Sequence, residues 1–193
     1  MRRNNRTARK LKKFAWRFRQ PDWADNHGVL LPVKHKLVSP GIAREIYLGD
    51  YEANPELIPL IRETHAKNDV APTLINALLA KGDGEREFHL EDDFWASSAH
   101  RTGGRSITVK QIDLNAELAR VKPSFLIVDI EGGEAEFFAG AERSTVQKIC
   151  VETHPDVLGD RVLSEMFAGL VAKGFALDFS LIRKNVFFFH RVA

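Results

Sequence analysis

"FLIVDIEGGEAEFFAGAERSTVQKICVET", residues 125–153, holds two apolar runs with a helix-compatible stretch between them. Phe125 to Val128 with Ile130, and Ile149 to Val151, have the lengths of short buried strands. The stretch from Glu134 to Gln147 suits a crossover helix. Strand, crossover and strand place the two strands side by side and parallel, joined by a right-handed connection. The unit predicts an α/β domain, and it also predicts where chemistry would sit. In open α/β sheets, ligands lie beyond the carboxyl ends of the strands, near a switch in strand order. Asp129 ends the first strand; Glu152, Thr153 and His154 end the second. Neighbouring strands would bring that carboxylate and that imidazole to one rim. Gly132 and Gly133 let the backbone turn sharply there or approach a ligand closely. Glu131, Glu134 and Glu136 crowd the same corner. The last two also suit the start of a helix, where acids favour the dipole, and Glu136 reads as solvated helix surface.

Working outward, "TLINALLA" at 73–80 fits a buried strand, although "INALLA" alone is also helix-compatible. "SITVKQI" at 106–112 alternates like a strand, and "NAELARV" after it suits one or two helical turns. Asn54 is a good N-cap, Pro55 fits a first helical position, and Leu57, Ile58, Leu60, Ile61 and His65 trace a face to about Asn68. "EIYLGDYE" at 45–52 has strand-type residues with a turn signal at Gly49-Asp50. "GVLLPV" at 28–33 contains Pro32 and is an edge strand at best. A second helix runs from about Arg161 to Lys173 and is stopped by Gly174. "FALDFSLI" and "NVFFFHRV", joined by "RK", read as a closing antiparallel pair.

With 193 residues, 44% hydrophobic and 28% charged, the chain is long enough for a sizeable core. Cys150 is the only cysteine, so no intrachain disulfide forms and a reducing, cytoplasmic setting is expected. No apolar run is long enough to span a bilayer, and the start of the chain lacks the apolar stretch of a secretory signal. The net charge of +2 hides an asymmetry. Residues 1–20 carry nine Lys or Arg and no acid, which leaves 19 basic against 26 acidic residues in the body. Leu11, Phe14, Ala15 and Phe18 recur there at helical spacing. This basic amphipathic segment suits weak contact with a membrane surface or nucleic acid, or an organellar presequence; it equally suits a solvated terminal helix docked through Phe14 and Phe18. Residues 21–193 read as one α/β domain.

These motifs resemble a family. "FLIVDIEGGEAEFFAGA" followed by "ICVETHP" is similar to the paired carboxy-terminal motifs of FkbM-type methyltransferases. "YEANPELIPLIRETHAKN" resembles the segment in which an acidic residue ends the second strand and Asn-Pro opens a helix; "TLINALLA" and "FWASS" follow in the family's order. The resemblance implies a Rossmann-like class I sheet, mostly parallel with a carboxy-terminal antiparallel pair, and S-adenosylmethionine as methyl donor. It implies ribose contact by Glu52, with Asn54 capping the next helix beside it, and Asn76 near the adenine. Asp129, Glu131 and Glu134 would border the methionine portion or the acceptor, with His154 across the cleft. Asp129 or His154 would position or deprotonate the acceptor, a hydroxyl of a small molecule or saccharide.

The chain departs from the family in one place. Such enzymes have a central first strand and a glycine-rich loop before the acidic second strand. Only isolated Gly28, Gly41 and Gly49 stand upstream of Glu52. "GDYEANPEL" reads like an early and a later family segment joined directly, as though the first strand, its loop and helix were deleted. The alternative is therefore a non-catalytic remnant or binding protein of the same fold. A metal-dependent exonuclease reading of "IVDIEG" fails on spacing, because residues 132–153 contain no further Asp.

Overall fold

The computed structural model describes residues 23–25, 30–32, 49–90 and 104–192. The basic segment 1–20, residues 45–48 and "FWASS" lie outside the described residues. The chain divides into two compact units, residues 1–47 with 60–71, and residues 48–59 with 72–193.

In the first unit, β1 (Trp23–Asp25) pairs antiparallel with β2 (Leu30–Pro32). Pro32 closes β2 opposite Trp23, where its missing N–H does least damage to the ladder. Helix α1 (Ile58–Lys67) starts in the second unit and runs into the first. Thr64 Oγ1 donates to the Leu60 carbonyl at 2.8 Å, and Asn68 Nδ2 to that of Thr64 at 2.7 Å, within the helix and at its end.

The second unit carries the α/β framework. Its four-stranded sheet runs β10 (Phe175–Leu177), β11 (Val186–Arg191), β9 (Lys148–Glu152), β8 (Phe125–Val128). The β8–β9 pair is parallel, with Val128 opposite Val151, and the other two pairings are antiparallel. Isolated from it are a parallel pair, β3 (Gly49–Tyr51) with β4 (Thr73–Ile75), and a three-stranded sheet ordered β5 (Leu78–Ala80), β7 (Arg105–Asp113), β6 (Gly84–Leu90). The expected antiparallel ending is present. A mostly parallel sheet is not what the described residues show: three pairings are parallel and four antiparallel.

Three helices cover this framework: α2 (Leu114–Val121), α3 (Glu134–Gly140) and α4 (Pro155–Ala172). Leu163, Met166 and Leu170 recur every three or four residues along α4 and are buried, beside Phe175, Phe189, Ile149 and Val151. The Phe167 ring meets those of Phe187 and Phe189 edge-on, at 4.8 and 5.3 Å.

Local hydrogen bonding explains where the elements depart from expectation. "TLINALLA" is two strands in two sheets, because Asn76 turns its amide to the Glu52 and Ala53 carbonyls at 2.7 and 3.1 Å and breaks the run. The crossover helix stops at Gly140. Asn115 on α2 donates to the Gly140 carbonyl at 2.9 Å and accepts from the Glu142 N–H at 2.8 Å, taking up groups that a longer helix would need. Helix α4 begins at Pro155, earlier than Arg161, and is interrupted by Gly159 at φ 75°, ψ 157°. The last hairpin turns through residues 178–185 instead of a two-residue "RK" link.

Tyr51 ties the β3–β4 pair to α2: its hydroxyl donates to Glu117, which also accepts from Arg120. The Arg120 guanidinium, with Tyr51 adding to it, holds the Glu117 carboxyl down at about 2 against the effect of burial. Because that value lies below the ordinary 4.5, the stabilisation is complete above about pH 4.5 and is lost as pH falls towards 2. Glu117→Gln should cost about 1–3 kcal/mol near neutrality, discounted for the exposure of Arg120, and the gap to the native chain should close by about pH 2 in urea melts.

Candidate functional site

Parallel pairing of β8 with β9 puts the residues that follow each strand at one end of the sheet. Beyond β8 the chain makes a tight turn, in which Gly133 N–H donates to the Ile130 carbonyl at 3.2 Å. Both central residues have positive φ, Glu131 at 50° and Gly132 at 101°. The first is an uncommon state for a non-glycine residue, and such states concentrate at functional sites. Gly132 is required for a second reason: a Cβ built on it would stand 2.5 Å from Val157 Cγ1. Beyond β9, Thr153 is buried, with its N–H donating to the Asn185 carbonyl at 2.9 Å. His154 then offers its carbonyl to the Val157 and Leu158 N–H groups, both at 3.0 Å, with Pro155 opening α4. The imidazole is thereby fixed to the helix start through the backbone.

Its side chain is fixed as well. His154 Nδ1 lies 2.7 Å from Glu134 Oε1, which also accepts from the Gly132 N–H at 3.0 Å. Nε2, on the other side of the ring, lies 3.4 Å from Glu131 Oε2 and 3.8 Å from Asp129 Oδ1. With Glu134 ionised, Nδ1 carries the proton towards it, and Nε2 is the nitrogen presented to the two other carboxylates.

The electrostatics are lopsided. Burial disfavours a charged imidazole, but the Glu134 hydrogen bond and the Glu131 and Asp129 carboxylates outweigh it and raise His154 to about 9. Burial would raise Glu134, yet His154 and the Gly132 N–H hold its carboxyl below the ordinary range. Asp129 keeps 55% of its side-chain surface open, but the protein around it pushes its carboxyl up to about 6, with Glu152 adding to the effect. Glu52, at the end of β3, rises to about 7, mainly through burial, with a contribution from Asp129. The ends of β3 and β8 thus share one electrostatic field.

Of the seven residues singled out in the sequence, the structure gathers four tightly: Asp129, Glu131, Glu134 and His154. The other three form a second group, coupled to the first through Glu52. Glu52 Oε1 accepts from the Asn54 N–H at 2.6 Å. Asn54 is buried and caps the turn into α1 through Glu56 N–H at 2.9 Å. Asn76 braces the Glu52 backbone. Glu134 is wholly buried and grips His154, so its contact is with the imidazole. The sequence reading missed Val157, which floors the glycine turn, and Asn185, which anchors Thr153; the first is apolar and the second acts through its backbone carbonyl, so neither side chain signals the role.

Comparison with known families finds a match to the Methyltransferase FkbM domain over residues 44–176, more than half of the chain. Neither the curated proteins nor the solved structures gave a match. The chain belongs to the FkbM methyltransferase family.

The turn geometry sets a measurable expectation. Gly132→Ala should destabilise the protein by about 1–3 kcal/mol in urea unfolding and shift the His154 ring resonances. Gly140→Ala, where an added carbon meets nothing within 4 Å, should stay within about 0.5 kcal/mol.

Proposed function

We propose that this FkbM-family chain transfers a methyl group from S-adenosylmethionine to a hydroxyl of a small molecule or saccharide, on a Rossmann-like framework in which the carboxyl ends of β3, β8 and β9 border the site. The observation that carries the reading is the gathering of Asp129, Glu131 and His154 beyond two parallel strands, with Glu52 in the same electrostatic field.

The donor supplies an electrophilic methyl group on a positively charged sulfur. The residues present fit its two polar ends. Glu52 offers a carboxylate, the acceptor type suited to a ribose diol; the Asn54 N–H holds that carboxylate, and the Asn76 amide braces the Glu52 backbone carbonyl. Asp129 and Glu131 lie where carboxylates would stabilise a cationic group without burying it uncompensated. Glu134 orients the His154 ring, so that Nε2–H can hold the acceptor oxygen while the Asp129 carboxylate takes the hydroxyl proton. Alignment of the reacting atoms supplies much of the rate gain in such a transfer. We further propose that residues 1–20 act separately, through weak contact with a membrane surface or nucleic acid in the cytoplasm.

A second reading is a non-catalytic binding protein of the same fold. It is favoured by the division of the strands: among the described residues β8 has a neighbour on one side only, and β3 with β4 stands as a separate pair. A missing central strand and its glycine-rich loop would leave that division.

Calorimetric titration with S-adenosylmethionine separates the two. Saturable binding, weakened about tenfold or more by Glu52→Ala and by Asp129→Ala, supports methyl transfer; no heat of binding up to millimolar donor supports the remnant.

A further inference from the structure

We propose that Asp129, Glu131 and His154 bind one divalent first-row transition ion of the Mn2+ or Zn2+ type, whose open positions take oxygen atoms of the methyl acceptor. Each residue offers one ligand atom, and the three atoms lie within 4.8 Å of one another. His154 Nε2 is 3.4 Å from Glu131 Oε2 and 3.8 Å from Asp129 Oδ1. An ion bonded at about 2.1 Å holds adjacent ligand atoms about 3 Å apart and opposed ones about 4.2 Å apart. Only the widest separation exceeds that range, by well under an ångström, and the half-open Asp129 side chain has room to close it.

The support behind the ligands has the form of a metal site. A ligating histidine is held by a carboxylate on its other ring nitrogen, which fixes the tautomer and aims the lone pair. Glu134 does this for His154 at 2.7 Å. Glu134 is fully buried and spends its charge on the far side of the ring, where Oε1 faces Nδ1 and accepts from the Gly132 N–H, which leaves Nε2 for a ligand. The corner also contains Asp129, Glu131 and Glu152, and one imidazolium cannot balance four carboxylates. A divalent ion at Nε2 takes the place of the proton there, which leaves to solvent, and so adds one further positive charge to the corner.

Ligand chemistry narrows the ion. Carboxylates alone would suit Mg2+ or Ca2+, whereas an imidazole beside two carboxylates shifts preference to Mn2+ and its heavier neighbours. Three protein ligands leave positions for substrate oxygens, as in catalytic metal sites. Binding of the ion stands on these groups alone; its service to the acceptor rests on the methyl-transfer reading. In that role His154 is a ligand, and the ion polarises the acceptor hydroxyl.

The test uses the full chain, stripped by chelator and titrated with Mn2+ alone, followed by loss of the free-ion electron paramagnetic resonance signal. One saturable site per chain is expected. Asp129→Asn and Glu131→Gln, which keep the side-chain shapes, should each weaken it about tenfold or more, while Glu136→Gln leaves it unchanged. Pulsed spectra of the bound ion should show nitrogen modulation that His154→Gln removes. Absence of saturable binding up to millimolar Mn2+, binding indifferent to both carboxylate variants, or no nitrogen modulation would overturn the site. Donor titration without metal keeps the readings apart. Mn2+ binding with no S-adenosylmethionine binding sustains the ion site and removes methyl transfer; the reverse removes the ion alone.

Discussion

Parallel registry between β8 and β9 is the constraint on which the candidate site depends. Val128 lies opposite Val151, so the next residues along both strands leave the sheet at the same end. Antiparallel pairing would have sent Asp129 and His154 to opposite ends. Everything that follows is refinement of that placement. The glycine turn lifts Glu131 into the corner, Asn185 holds Thr153, and Glu134 reaches back from α3 to seize the imidazole. Two strands, one turn and two helix starts therefore converge on a single ring.

The site shows how burial and charge are set against each other. A buried imidazole would ordinarily lose its proton, and a buried carboxylate would ordinarily gain one. Placing them 2.7 Å apart reverses both tendencies. Asp129 has the imidazole only at 3.8 Å, burial is the main influence on Glu52, and both rise well above the ordinary carboxylate range. The surplus of acid is concentrated at one corner, and that imbalance favours a cationic ligand there, organic or metallic.

Much of this was legible in the sequence because the βαβ unit has strong local signals. Apolar runs of strand length, a helix-compatible link and carboxylates at both strand ends suffice to place Asp129 and His154 together. The carboxy-terminal hairpin was legible from its aromatic run, although its wide turn was not. Strand β6, "GEREFHL", escaped notice because its apolar content is confined to Phe88 and Leu90, on a strand that is otherwise charged. The break within "TLINALLA" depends on where the Asn76 amide points, and the early stop of α3 depends on Asn115 from another helix. Such side-chain choices are made by tertiary neighbours. The role of Glu134 was obscured similarly: spacing identifies an acid at a helix start, whereas only packing shows that it is sealed against His154.

The interruption of α4 at Gly159 has a mechanical consequence. The long portion from Asp160 onward is nailed into the core by Leu163, Met166 and Leu170, while the short turn from Pro155 to Leu158 carries the histidine's backbone anchor. An unbroken helix would transmit any shift of the imidazole straight into the aromatic packing around Phe167. A glycine joint, at a φ that side chains resist, works like a wrist between a working hand and a fixed forearm. The direction of the first turn is thus set by the histidine's anchor, and that of the longer portion by the core.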